Sequence, residues 1–112
     1  VTKEYLEYLN KQNISWIICG KEKINLAGAS EILANEFGVG RMGIVGESAI
    51  NTAFLDEGLL DEISILMGAG IDGREEMPSV FDGLKMNHPL IHLKLMDVKK
   101  FASDAVWIRY KL

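Results

Sequence analysis

Apolar and polar residues fall into alternating blocks over the first 67 positions. Residues 3 to 11, KEYLEYLNK, put Tyr5, Leu6 and Leu9 on one face with Tyr8 at its edge, the signature of an amphipathic helix. Asn13 breaks the pattern. Ile14 to Cys19, ISWIIC, is β-branched, aromatic and nearly continuous in apolarity, which is how a strand buried on both faces of a parallel sheet reads. A polar loop, Gly20 to Lys23, leads to Asn25, whose side-chain oxygen is placed to cap a helix. Leu26, Ala29, Ile32, Leu33 and Phe37 form the apolar stripe of that helix, and Gly38 ends it in the left-handed conformation. Met42 to Val45 reads as a short strand. Ala49 to Glu57 reads as a helix with Ile50, Ala53 and Phe54 on one side, closed by Gly58. Asp61 to Met67 reads as a strand with Ile63, Ile65 and Met67 on one face.

The order α-β-α-β-α-β calls for a parallel sheet with helical, right-handed crossovers. The pattern then changes. Gly68 to Asn87 is long, polar and rich in glycine, and loops of this length often carry function. Leu90 to Val98 and Ala105 to Leu112 read as two strands around KKFASD, an antiparallel hairpin. The fold class is therefore α/β, in three layers, with a largely parallel sheet and a C-terminal antiparallel hairpin.

Size and charge narrow the function. The 112 residues fit one domain, spanning 1–112. With 12 Lys and Arg against 16 Asp and Glu, the net charge is −4, and no basic field exists to hold nucleic acid. The longest near-apolar run, Ile14 to Gly20, is far short of the ~20 residues that span a bilayer, and the N-terminus has no secretory apolar region. Cys19 is the sole cysteine, so no internal disulfide forms, and its apolar run marks it as a buried thiol. These features point to the cytoplasm. The chain begins at Val1, directly in a helical pattern, as a piece of a longer protein would.

The stretch GIVGESAIN, Gly43 to Asn51, holds the candidate chemistry. A strand that ends in glycine and feeds a helix makes an anion site, because the first helical N–H groups are free and the helix dipole adds about half a positive charge there. Glycine lets the backbone approach a diphosphate closely, and Ser48 is placed to cap the helix or to donate to a phosphate. One glycine is not a G-x-G-x-x-G, so a plain capped turn explains the same residues. The other candidates are thinner. His88 and His92 lack the cysteine or HExxH company of a metal site, so no metal is expected. Asp61 and Glu62 are adjacent on a strand and point to opposite faces, so they cannot share a proton. Asp72, Glu75 and Glu76 read as a solvated loop. Ser15, Ser30 and Ser48 have no nucleophile elbow, and no catalytic residue is named.

Four segments, in order, carry a resemblance: ISWIICG with INL and a helix; RMGIVGESAINTAFLDEGLLDEISI; IDGREEMPSVFDG; and the closing hairpin ending VWIRYKL. Together they resemble the C-terminal half of the reductase domain of the riboflavin-biosynthesis deaminase/reductase, the RibD C-terminal family, which is dihydrofolate-reductase-like. Asn51, Ala53, Leu55, Gly58, Leu59, Asp61 and Glu62 match its second segment in register. The resemblance implies an incomplete domain, lacking an N-terminal half whose strands include one between those matching Met42–Val45 and Asp61–Met67. It implies an NADPH-dependent oxidoreductase, with hydride transfer to the ribosyl carbon of a 5-amino-6-(5-phosphoribosylamino)uracil-like pyrimidine. By position, Gly46, Glu47, Ser48 and Ala49 would receive the NADPH diphosphate, and Val45 would face the substrate. The missing strand would leave two inner strand edges unpaired, which invites pairing with another chain, so a homodimer is expected.

Two positions depart from the family. Val45 stands where the family has a glutamate that touches the ribosyl part, and valine accepts no hydrogen bond. Glu47 stands where the family has a second glycine, and adds negative charge beside an anion site. A rival reading follows: a non-catalytic, reductase-like fragment that serves as an assembly module.

Overall fold

The computed structural model describes residues 1–112, which divide into two compact units, Val1–Met42 and Gly43–Leu112. No helix is long and apolar enough to cross a membrane.

The first unit contains helices α1 (Lys3–Lys11) and α2 (Leu26–Phe37). Thr2 caps α1, accepting from the Tyr5 N–H, and Asn13 leaves it with φ 56°. Asn25 caps α2 as its position suggests, with Oδ1 accepting from the Gly28 N–H at 2.9 Å. Gly38 ends α2 at φ 65°, in the left-handed region where a side chain is penalised. Gly28 has a packing reason of its own, since a Cβ there would lie 2.9 Å from the Cys19 sulfur. Cys19 is half-buried, not deeply buried as its apolar run suggests.

The second unit contains helix α3 (Ser48–Asp56) and strands β1 (Glu62–Met67), β2 (Lys94–Lys100) and β3 (Val106–Lys111). Gly58 follows α3 at φ 67°, and the Leu59 N–H bonds back to the Phe54 carbonyl at 2.9 Å. Such a left-handed wrap satisfies carbonyls that the last helical turn leaves open. The strands form one sheet in the order β1-β3-β2, antiparallel throughout. Met96 is an extra residue in β2, a bulge between the Leu95 and Asp97 pairings. The register puts Ile63, Tyr110 and Leu95 in one cross-strand row and Ile65, Ile108 and Val98 in the next, all on one face. The opposite face is polar, with Glu62 and Ser64 beside Arg109, whose guanidinium lies over the Trp107 ring. Phe54, Ile63 and Thr52 form the small core. Phe54 is buried and Ala53 half-buried, as the expected stripe has them, while Ile50 is 37% exposed and Thr52 is buried as well.

Two expected strands are corrected here, and with them the parallel sheet. Ile14–Cys19 and Met42–Val45 make no ladder. The burial of 14–19 nevertheless alternates. Ile17 and Cys19 are half-buried, while Ile14, Trp16 and Ile18 are exposed. The apolarity that suggested two-sided burial is real, but neither segment joins a strand ladder; the backbone bonds of the first run only to Leu9 and Asn25. The only sheet is the C-terminal β2–β3 hairpin, with β1 added on the other edge of β3. The strand expected over 90–98 begins later, at Lys94, because Pro89 and the turn before it hold the chain out of the ladder.

The accessible surface is 9556 Å² for a mass of 12.5 kDa. A folded monomer of that mass is expected to expose about 6,200 Å². Only Phe54 and Ile63 are buried apolar residues. Such a core cannot balance the conformational entropy of ordering the backbone. The isolated chain is therefore expected to self-associate or to melt without cooperativity. Light scattering coupled to thermal unfolding checks this, and a cooperative monomer contradicts it.

Candidate functional site

The turn into α3 is built by a steric constraint. A Cβ placed on Gly46 would lie 2.0 Å from the Ile50 Cγ2. Gly46 does not have positive φ. Glycine is required there because the first helical turn folds its own isoleucine back over the backbone, not because the chain turns left-handed.

Glu47 is the N-cap of α3, with φ −77° and ψ 170°, and its side chain makes no capping hydrogen bond. Its carbonyl accepts from the N–H groups of both Ile50 and Asn51 at 3.1 Å. The N–H groups of Ser48 and Ala49 have no acceptor within the chain. These are the donors a helix start leaves open. Ser48, half-buried, is the first residue of the helix and not its cap. Glu47 is exposed, so its carboxylate has room to stay in water. Val45 is 98% exposed. The five positions singled out in the sequence thus form one continuous surface segment of the second unit.

One turn further along, α3 grips the loop that follows β1. The Asn51 side-chain amide donates to the Val80 carbonyl at 3.0 Å, and the Thr52 hydroxyl accepts from the Asp82 N–H at 2.8 Å. Ser79 closes the same loop by donating to the Phe81 carbonyl. IDGREEMPSVFDG is therefore tied to α3 by side chains, and Asn51 has a physical reason to be asparagine. Sequence reasoning missed Thr52. The available signal was a β-branched hydroxyl residue two positions before Phe54 on the helix's inner side, where a buried polar group needs a partner.

The remaining candidates disperse. Glu62 pairs with Arg109 at 3.0 Å across the sheet, and the Asp61 carbonyl accepts from Leu112. Asp72 binds the Arg74 guanidinium through two oxygens, one of them at 2.6 Å. Arg74 holds the Asp72 carboxyl below its usual range, and Asp72 raises Arg74 in turn. Both are exposed, so water screens the pair and its stability contribution is small. No three His, Cys, Asp or Glu side chains group to hold a metal ion. The Ser30 hydroxyl bonds the Leu26 carbonyl within its own helix.

The family model for the RibD C-terminal domain matches residues 1–107. Among solved structures, the chain is similar to a pyrimidine reductase-like protein from Corynebacterium diphtheriae, with TM-score 0.78 and 18% identity over 96% of this chain and 43% of that one. It is also similar to RibD from Acinetobacter baumannii in two crystal forms. One gives TM-score 0.76 at 18% identity and the other 0.72 at 20%, each over 94% of this chain and 28% of that one. The chain thus spans less than half the length of the solved structures it matches, and the likeness carries the fold.

The Gly46–Ile50 contact makes its own prediction. Gly46→Ala should destabilise the second unit by about 1–3 kcal/mol, the usual cost of forcing extra atoms into a packed site. Ile50→Ala should remove most of that cost in the double variant. Thermal unfolding of the four proteins in the cycle measures the coupling, and strict additivity would show that the contact does not constrain the turn.

Proposed function

Because this chain belongs to the RibD C-terminal domain family, we propose that it supplies the cofactor turn of an NADPH-dependent reductase of the riboflavin-pathway type. The observation that carries the reading is the pair of open N–H donors on Ser48 and Ala49, reached over a residue that has no side chain. The fit to a diphosphate is good on three counts. No capping side chain occupies the donors. The helix dipole favours an anion at this end. Gly46 lets the anion come close to the backbone.

In this reading Ser48 and Ala49 hold the diphosphate through backbone N–H groups, and the Ser48 hydroxyl is a further donor. Gly46 keeps the approach clear. Asn51 and Thr52 fix the loop at 80–82 against the same helix, so the helix presents one rigid start. NADPH, when bound, supplies the hydride, which would go to the ribosyl carbon of a 5-amino-6-(5-phosphoribosylamino)uracil-like pyrimidine. The chain's share is binding and orientation. Val45 occupies the position that faces substrate and offers only apolar contact there. The protein would act on this small molecule as a homodimer in the cytoplasm.

A specific observation favours a second reading. Val45 is apolar and almost wholly exposed, at a position where the family resemblance implies a hydrogen-bonding glutamate. A non-catalytic module that uses the reductase fold for assembly would leave such a residue free to meet a partner.

Glu47 separates the two. A unit charge ~4 Å from a phosphate costs about 4 kcal/mol at an effective dielectric of about 20, so Glu47 must point away when the diphosphate is bound. Glu47→Gly is expected to tighten NADPH binding by about 1 kcal/mol, the scale of a charge at a helix end. Gly46→Val is expected to abolish binding. Dissociation constants at low salt, with far-UV spectra to confirm folding, decide the matter. If neither substitution changes affinity, the turn is only a turn, and the assembly reading takes its place.

A further inference from the structure

A cavity of about 350 Å³ lies in the second unit, away from Val45–Ala49. Its apolar lining includes Leu55 from α3, Ile63 from β1, and Phe81 and Leu84 from the long loop; the rest, apart from two side chains, is Leu, Ile and Pro. Those two are Lys85 and His88, and no acidic residue lines the space. A turn brings them together, because the His88 N–H donates to the Lys85 carbonyl at 2.9 Å. The imidazole is oriented as well. Nδ1 lies 2.8 Å from the Pro89 carbonyl, which can only accept, so Nδ1 carries the proton there; Nε2 is then an acceptor in the neutral ring and a donor to an anion only in the imidazolium. Lys85 is exposed, so the cationic end of the cavity is its rim, with the half-buried His88 beside it, and the buried Ile63 belongs to its apolar part.

We propose that this cavity is a binding site for a small organic anion with an apolar body, its carboxylate held by the Lys85 ammonium, joined by His88 Nε2 when the ring is an imidazolium, and its hydrocarbon placed against Leu55, Ile63, Phe81 and Leu84. The chemistry follows from the lining. Pockets that take small molecules are mostly apolar, with a few polar groups that set orientation. Here those groups are basic only. A cation would meet Lys85 without a counter-charge, and a neutral amphiphile would forgo the ammonium contact. The site shares no residue with the turn at Gly46, so its occupancy is independent of the cofactor reading.

The test uses three probes with one tail and different heads: octanoate, 1-octanol and octylammonium. Each is titrated into the chain while the methyl signals of Leu55 and Ile63 and the His88 ring signals are followed by NMR. Octanoate is expected to bind saturably, with shifts centred on these residues. Octanol should bind at least ten-fold more weakly and octylammonium more weakly still. Hexanoate should lose roughly ten-fold against octanoate, the loss expected from two fewer buried methylenes. Lys85→Glu, a change at an exposed position that folding tolerates, should cost octanoate ten-fold and reverse the preference toward octylammonium. Absence of saturation, equal binding of the three heads, shifts spread evenly over the sheet, or an unchanged octanoate affinity in Lys85→Glu would each overturn the proposal. So would loss of octanoate binding on raising protein concentration, because a second copy would then be the occupant.

Discussion

A strand is held by its neighbours. Each residue carries a backbone donor and acceptor, and a segment becomes part of a sheet only where another segment meets them in register. That constraint shapes this molecule more than any side chain does. β3 has partners on both edges and is the best-buried strand of the three. β2 and β1 have one partner each. β2 forms its edge with Lys94, Lys99 and Lys100, charges that discourage further pairing. β1, EISILM, has no lysine or proline, and its Leu66 and Met67 are exposed. Ile14–Cys19 and Met42–Val45 have the composition of strands and no strand partner.

How far the sequence reveals the fold follows from the range of each interaction. Helix ends are local, and they were legible. Asn25 caps, Gly38 and Gly58 stop, and Asn13 breaks, each through bonds that span a few residues. The antiparallel pairing of the last two strands was legible for the same reason, since five residues join them. The parallel sheet was not, because periodicity reports only that a segment could be buried on two faces. It does not say whether a partner is present to bury it. The alternating burial of Ile17 and Cys19 against Trp16 and Ile18 shows how a correct apolar signal coexists with the absence of a ladder.

The turn at Gly46 is a case between the two. Its position, between an apolar run and a helix, was readable. Its cause was not, because the constraint is the Ile50 side chain four residues on, which no local pattern marks. Ser48, a natural capping residue, does not cap, and the role falls to Glu47, whose side chain makes no cap bond. Absence of a cap leaves the donors of Ser48 and Ala49 open, and that openness, more than the glycine itself, makes the turn chemically interesting. Asn51 and Thr52 then join this helix start to a loop about 30 residues downstream, a link no local pattern reveals.

The two tryptophans are divided between the two units, and each has a polar partner. In the first unit the Trp16 indole donates to the Asn10 carboxamide at 3.1 Å. In the second the Trp107 indole donates to the Ser64 hydroxyl at 2.7 Å, with Arg109 over its ring. Indole emission is sensitive to such neighbours, so the protein contains two built-in optical reporters, one per unit. Replacing either tryptophan by phenylalanine leaves a single-colour probe of the other unit. The order in which the two halves of this chain lose their structure thus becomes readable without any added label.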